Sequence, residues 1–181
     1  AYPNDGKIRI NLDPKKPAAF ALRLRIPTWA GKQFVPGKLY QYANAGPATW
    51  TLKVNGKPVE MKVEKGFTVI ERTWKRGDQV ELNLPMPVRL NTCHPKVEAN
   101  HDRVALTRGP FVLCAEGVDN DGVTERYFFD QLPKVTGASV KTRSIESGSF
   151  IQTTVPARAL TAAGGAKSLP LVLTPYYAWN N

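Results

Sequence analysis

Hydrophobic and polar residues alternate along most of this chain with a period of two, where a helix would show a period of three to four. The alternation is clearest in five short runs, at residues 7–12, 20–26, 50–54, 59–63 and 80–84. Each run has the length of a half-buried strand. In the second run, Arg23 and Arg25 point away from the face that carries Leu22 and Leu24. The pattern predicts strands with one face toward a core and the other toward solvent.

Turn residues separate these runs. Asn55-Gly56 lies between two of them, and both residue types tolerate the positive φ of a two-residue hairpin turn. Lys65-Gly66 and Arg76-Gly77-Asp78 are typical of further turns, and Trp74 is predicted to fill the core. Short strands at this spacing predict an all-β fold made of sandwiches.

Prolines interrupt the pattern at Leu84-Pro-Met-Pro-Val88, where a central strand would exclude them. We therefore predict two tandem antiparallel β-sandwich (jelly-roll-like) sub-domains, residues 1–90 and 91–181, with the boundary near 88–96. The strands predicted for the second half are residues 103–106, 111–115, 126–129, 138–143, 150–155 and 169–173. Residues 157–166 are expected to form a loop or a short turn, because Gly164-Gly165 disfavours a helix.

The net charge of +10 is concentrated in residues 1–90, which hold 16 Lys and Arg against 7 Asp and Glu. A basic half raises the possibility of nucleic-acid binding. Most of these cations alternate with apolar residues, however, and no nucleic-acid-binding motif accompanies them, so we expect no nucleic-acid partner. No apolar run approaches the roughly 18–20 residues of a membrane span, so no membrane partner is expected. The first residue is Ala, which favours a processed chain or a piece of a longer one.

Few residues suggest a catalytic or metal-binding site. Cys93, His94 and His101 do not have the spacing of a standard zinc site, and Cys114 lies in an apolar run as a small hydrophobe would. The redox state of the two cysteines stays open. Asp119, Asp121 and Gly122 resemble part of a calcium loop but are more typical of a turn.

Four carboxylates follow one another closely in this region, but nothing singles out an acid/base pair among them. They are Glu116, Asp119, Asp121 and Glu125. The sequence therefore predicts no catalytic residue and no metal ligand.

Aromatic residues offer a different kind of site. Sugar rings stack on flat aromatic faces, and the densest aromatic group lies in Pro175-Tyr-Tyr-Ala-Trp179. Tyr176, Tyr177 and Trp179 are therefore the candidate carbohydrate-binding residues. The competing interpretation is that such residues anchor a core or an interface.

A series of motifs resembles a known family. The most characteristic are Phe20-Ala-Leu-Arg-Leu-Arg-Ile-Pro, Leu84-Pro-Met-Pro-Val-Arg89, Arg103-Val-Ala-Leu-x-Arg-Gly-Pro-Phe-Val-Leu-Cys-Ala-Glu116 and Leu173-Thr-Pro-Tyr-Tyr-Ala-Trp179. In this order they resemble the C-terminal, non-catalytic part of glycoside hydrolase family 127, the β-L-arabinofuranosidase family, or a close relative.

The resemblance implies an (α/α)6-barrel catalytic domain upstream of Ala1 in the same polypeptide. The family's cysteine nucleophile, its zinc ligands and its acid/base glutamate lie in that barrel. No segment here matches those motifs, and Cys93 and Cys114 fall in sandwich motifs instead. Zinc is accordingly expected in the parent's catalytic domain, and no cofactor is expected in this chain. Family members continue beyond this motif into another strand, so the second sub-domain is expected to lack a terminal strand.

The leading interpretation is thus an accessory β-sandwich region that supports the barrel of a larger glycoside hydrolase. The chain alone is not expected to be an enzyme. The alternative is a carbohydrate-binding module for plant-type glycans. A polysaccharide-degrading role would imply a periplasmic or secreted parent. The substrate and the oligomeric state are not set by the sequence.

Overall fold

The structure, a computed structural model, describes residues 2–31, 34–43, 49–122, 124, 126–130, 138–145 and 148–179, and for residue 145 the backbone alone. The strands are β1 Lys7–Asn11, β2 Ala18–Arg25, β3 Tyr40–Tyr42, β4 Thr51–Val54, β5 Lys57–Pro58, β6 Val63–Glu64, β7 Phe67–Trp74, β8 Gln79–Asn83, β9 Val88–Cys93, β10 Ala105–Arg108, β11 Phe111–Ala115, β12 Tyr127–Phe128, β13 Ser139–Ile145, β14 Gly148–Leu160 and β15 Ala166–Pro175. Short 3-10 helices span Thr28–Ala30, Glu98–Asn100, Gly117–Asp119 and Tyr176–Ala178. The predicted all-β, antiparallel class is confirmed.

The chain divides into two compact units, one formed by residues 1–36 and 46–86 and the other by residues 37–45 and 87–181. The predicted cut at residue 90 would pass through β9, which lies entirely in the second unit. Prolines 85 and 87 mark the change of unit itself, whereas the sequence estimate placed it a few residues later. Within the described ranges, no helix has the length and apolarity needed to cross a membrane.

The described part of the first unit forms two antiparallel sheets. One has the order β1-β8-β4-β5 and the other the order β2-β7-β6. Their apolar faces supply a common core, in which Trp74 has no exposed surface and its indole N–H donates to the Phe20 carbonyl at 3.0 Å. Arg23 and Arg25 lie on the exposed face of β2, as the alternation predicted.

Two hairpin turns in this unit form as predicted. Asn55 and Gly56 have φ values of 51° and 77°, and Lys65 and Gly66 have 50° and 80°. The predicted strand at residues 59–63 is wrong. Lys57–Pro58 pairs with β4 and Val63–Glu64 pairs with β7, so the residues between them carry the chain from one sheet to the other.

Asp78 joins the Asn55 turn to the neighbouring turn. Its carboxylate accepts hydrogen bonds from the Asn55 amide and from the Lys75 backbone N–H, both at 2.8 Å. These two bonds lower the pKa of Asp78 against the opposing effect of burial. The Asn55 side-chain oxygen in turn accepts the Gln79 N–H at 2.8 Å. This hydrogen-bond network links two loops of the first unit.

The strands described in the second unit form one eight-stranded antiparallel sheet with the order β12-β14-β15-β11-β10-β9-β3, in which β13 also pairs with β14. Its buried core takes apolar side chains from five strands, namely Val88, Leu90, Leu106, Leu113, Val155, Ala157, Leu171 and Leu173. The sequence did not predict β3 or β9. β3 is three residues long, and β9 falls where the prolines indicated a boundary.

The strands β14 and β15 are longer than predicted. Residues 157–160 continue β14, so the predicted loop at 157–166 is reduced to a turn. Pro156 in β14 pairs with Pro170 in β15. A proline has no N–H to donate to a ladder. Along the other edge of β14, β13 pairs as far as Thr154 and β12 as far as Arg158, so Pro156 falls between them.

Candidate functional site

The three aromatic residues proposed from the sequence lie together just after β15. These residues are 63% (Tyr176), 59% (Tyr177) and 57% (Trp179) exposed. The rings of Tyr176 and Trp179 stack with centroids 5.9 Å apart and planes at 15°. Tyr177 instead packs on Phe111, at 5.3 Å and 46°. A 3-10 turn positions these rings, because the Trp179 N–H donates to the Tyr176 carbonyl at 3.2 Å.

The structure also contains a cleft that the sequence did not predict. It has a volume of about 940 Å³, and all the residues that line it belong to the second unit. Four of its lining residues are buried leucines of the core, namely Leu106, Leu113, Leu171 and Leu173. Tyr127 and Phe129, which are partly buried and pack against the same core, also line it. The remaining polar lining includes Cys93, His101, Asp102, Arg103 and Asp130.

The residues considered as possible zinc ligands make contacts with near neighbours in the sequence. The Cys93 thiol donates to the Asn100 carbonyl at 3.2 Å. His94 Nδ1 accepts the Lys96 N–H at 3.1 Å, and His101 Nδ1 lies 3.0 Å from the Asp102 carboxylate. Among the residues the structure describes, no three His, Cys, Asp or Glu side chains are grouped to hold a metal ion.

Cys114 is a free thiol on the strand β11. Its sulfur donates to the Thr174 carbonyl at 3.4 Å. Burial raises the pKa of the Cys114 thiol, and the charge of Glu116 adds to that rise. The residue is thus held as an uncharged thiol between neighbouring strands, as expected of a small hydrophobe.

The Asp119 carboxylate has a structural role. It accepts two bonds from Arg143 Nη1, at 2.7 and 2.8 Å, and one from the buried Gln152 amide at 3.1 Å. The next residue, Asn120, is also buried and exchanges hydrogen bonds with the Val172 backbone, both at 2.9 Å. These contacts fasten the loop that contains the Gly117–Asp119 helix to β13, β14 and β15.

The turn interpretation of the neighbouring residues is confirmed. Asp121 and Gly122 have positive φ values of 55° and 79°, and the Gly122 N–H donates to the Gly117 carbonyl at 2.7 Å. Asp121 lies 3.6 Å from the guanidinium of Arg126. Glu125, the fourth carboxylate considered, lies outside the described residues.

A second polar cluster is buried on β3, β9 and β10. The guanidinium of Arg89 lies 4.7 Å from the centre of the Tyr42 ring, and the Asn91 amide donates to the Thr107 hydroxyl at 3.0 Å. Burial raises the pKa of Tyr42, while the charge of Arg89 and a hydrogen bond with Thr107 act in the opposite direction. Tyr42 therefore stays neutral in this cluster. No local pattern in the sequence predicts this cluster, because its members come from three separate segments.

Comparison with known proteins places this chain in a class of carbohydrate-active enzymes. Residues 1–86 match the family model described as β-L-arabinofuranosidase, GH127 middle domain. Residues 88–181 match the model described as glycoside hydrolase family 127 C-terminal domain. The chain belongs to glycoside hydrolase family 127, and it is the C-terminal part of a member of that family. The resemblance drawn from the motifs is confirmed.

Comparisons with individual relatives agree with this family assignment. The chain is 29% identical to the non-reducing end β-L-arabinofuranosidase of Bifidobacterium longum subsp. longum, in a match that covers 99% of this chain and 27% of that protein. A solved GH127 β-arabinofuranosidase is 38% identical with a TM-score of 0.88, over 98% of this chain and 28% of the other. A GH127 β-L-arabinofuranosidase from Geobacillus stearothermophilus T6 is 30% identical with a TM-score of 0.79, over 98% and 27%. The chain therefore spans little more than a quarter of these relatives.

Proposed function

We propose that this chain is the non-catalytic accessory region of a β-L-arabinofuranosidase-like glycoside hydrolase, and that it supports a catalytic barrel upstream in the same polypeptide. The observation that carries the proposal is the pair of family matches, which assign residues 1–86 to a middle domain and residues 88–181 to a C-terminal domain. Relatives named as arabinofuranosidases contain this region as about a quarter of their length.

Two carboxylates of this chain have structural partners, which supports the same role. Hydrolysis of a glycosidic bond by paired carboxyl groups needs two of them about 5–10 Å apart across the scissile bond. Asp119 is instead bound by Arg143 and Gln152, and Asp78 is bound by Asn55 and Lys75. Both carboxylates hold loops in place.

The proposal can be tested by the size of the native protein. An antibody raised against this chain should detect, in extracts of the source organism, a polypeptide several times heavier than 20.0 kDa. The immunoprecipitate should cleave 4-nitrophenyl β-L-arabinofuranoside. A native species of about the mass of the chain itself would contradict the proposal, because such a protein would have no catalytic barrel to support.

Exposed aromatic residues favour a second candidate function, glycan binding. Tyr176 and Trp179 form a stacked, solvent-facing pair, the kind of surface on which sugar rings lie. If the pair binds glycans, arabinan in an electrophoresis gel should retard the chain, and Trp179→Ala should lose the retardation. Tyr2→Ala removes another exposed aromatic ring and is the matched control. Equal migration of all three proteins with and without arabinan would remove this candidate.

A further inference from the structure

The turn between β4 and β5 contains a chemically reactive pair of residues. Asn55-Gly56 is the only Asn-Gly pair in the 181 residues of the chain. Both residues are exposed, so water reaches them. Because glycine has no Cβ, its backbone nitrogen is sterically open to the side chain that precedes it. An asparagine followed by glycine therefore carries a side-chain amide that its own backbone can attack.

The reaction that such a pair undergoes is deamidation. The Gly56 backbone nitrogen attacks Cγ of Asn55, so that a C–N bond forms while the bond from Cγ to Nδ2 breaks. The departing Nδ2 takes up the Gly56 amide proton and leaves as ammonia, and the chain is left with a five-membered succinimide. Water then opens this ring at one of its two carbonyl carbons. The product is aspartate or isoaspartate at position 55, and no oxidant or reductant is needed.

In the folded chain, hydrogen bonds hold the polar atoms of Asn55. Its Nδ2 donates to Asp78 Oδ1, and its Oδ1 accepts the Gln79 N–H, both at 2.8 Å. The Asn55 backbone N–H donates to the Gln79 carbonyl, also at 2.8 Å. Asp78 is itself buried and held by the Lys75 N–H at 2.8 Å. The Asn55 side chain must leave these partners before the Gly56 nitrogen can attack it.

We propose that Asn55 is a deamidation site of this protein, and that its hydrogen bonds with residues 78 and 79 keep the reaction slow while the first unit is folded. The product cannot restore those bonds. A carboxylate at position 55 would place an anion where Nδ2 now lies, 2.8 Å from Asp78 Oδ1. Two like charges at that distance repel each other, so the reaction weakens the link between the two loops.

The experiment follows the conversion of Asn55 in the chain by mass spectrometry of the tryptic peptide 54–62, in which Lys57 precedes a proline and resists cleavage. Rates are compared at neutral pH in buffer and in guanidinium chloride. Since three hydrogen bonds hold Asn55, the folded chain should convert about a hundredfold more slowly than the unfolded chain. Equal rates in the two conditions would overturn the proposal.

Asp78→Asn tests whether this network, rather than folding in general, slows the reaction. The Lys75 N–H needs an acceptor, so the new amide keeps its oxygen there and turns its NH2 toward the NH2 of Asn55. Deamidation of Asn55 should then become about tenfold faster. Asp119→Asn weakens a network of the second unit and should leave the rate at Asn55 unchanged. Equal acceleration by both variants would overturn the role of the network.

A pair of substitutions tests the effect of the product. Asn55→Asp reproduces the aspartate product and should lower the melting temperature at neutral pH, because two carboxylates then face each other. Adding Asp78→Asn exchanges donor and acceptor, since the new amide can donate to the new carboxylate, which still accepts the Gln79 N–H. The double variant should therefore melt above Asn55→Asp alone. A double variant that melts no higher would overturn the proposed effect of deamidation on the turn.

Discussion

The two units of this chain are built from similar antiparallel strands, but different numbers of sheets build their cores. In the first unit, side chains from two separate sheets surround Trp74, which has no exposed surface. In the second unit, the described strands form one eight-stranded sheet, and apolar side chains from five of them supply the core. The four leucines that line the cleft of the second unit are only 2–7% exposed, so both cores are buried and the difference lies in the number of sheets that build them.

One sheet of the first unit and the segment after β15 in the second unit differ in the side chains they expose. The outer face of the sheet β1-β8-β4-β5 presents polar side chains, such as the Arg9–Glu81 ion pair at 3.0 Å and the Gln79–Asn11 hydrogen bond at 2.9 Å. The second unit instead exposes the Tyr176–Trp179 pair. The other sheet of the first unit exposes apolar side chains as well, among them Phe20 and Val69.

The largest effect on stability should come from removing the buried indole of the first unit's core. Trp74→Ala should lower the free energy of unfolding by about 4 kcal/mol, because a fully buried indole and its hydrogen bond to Phe20 are lost. Trp179→Ala removes an exposed indole from the second unit and should cost about 0.5 kcal/mol or less. Urea denaturation of both variants measures the difference. Equal losses would show that Trp74 is not the centre of the core.

A close backbone approach in the first unit should give the next largest effect. The Leu84 N–H donates to the Gly6 carbonyl at 2.9 Å, and a Cβ at position 6 would overlap the Leu84 carbonyl oxygen. Gly6→Ala should therefore cost about 3 kcal/mol. Gly165→Ala, where the nearest atom is the Thr161 hydroxyl at 3.5 Å, should stay within about 1 kcal/mol of the wild type. Thermal unfolding that ranks the two variants the other way would refute the close approach.

A smaller loss of stability is expected in the second unit, at the loop that Asp119 holds in place. Asp119→Asn should destabilise the chain by about 2 kcal/mol, because charge-assisted hydrogen bonds from Arg143 and Gln152 are weakened. Asp121→Asn changes a mostly exposed carboxylate and should cost about 0.5 kcal/mol or less. Chemical denaturation measures both losses. Indistinguishable variants would mean that the Asp119 network does not hold the loop.

The smallest effect concerns pH. The pKa of Asp78 is lowered in the folded state, so its ionised form stabilises the fold above the ordinary aspartate pKa of about 3.9, and that stabilisation is lost as the pH falls through the lowered value. Asp78→Asn should therefore differ most from the wild type near neutral pH and least in acid. Unfolding free energies at a series of pH values test this. Asp13→Asn, at an exposed ion pair, is the control, and a gap that stays constant down to strongly acidic pH would contradict the role of Asp78.

The sequence predicted the parts of the fold that local chemistry decides. Asn55-Gly56 and Lys65-Gly66 adopt the positive φ values that their residue types allow, and β1 and β2 follow the alternation of their side chains. The pattern failed at residues 59–63, because alternation there accompanies a crossing between sheets rather than a strand. It also failed to extend β14 through Pro156, since a proline is harmless only where the neighbouring edge needs no N–H.

The candidate site was predictable only in part. The aromatic group of Tyr176, Tyr177 and Trp179 is contiguous in sequence, so its density was visible before its exposure was known. The cleft brings together residues from widely separated segments, from Cys93 to Leu173, and no local pattern signals such a meeting. The ion pair of Asp119 with Arg143 was hidden for the same reason.

The central claim is that this chain assists catalysis without performing it. The most direct measurement is turnover of 4-nitrophenyl β-L-arabinofuranoside by the purified chain alone, beside a longer polypeptide that includes the upstream region. The account predicts no release of nitrophenol by the chain at any concentration and turnover by the longer polypeptide. Turnover that co-purifies with the isolated chain through successive columns would contradict it.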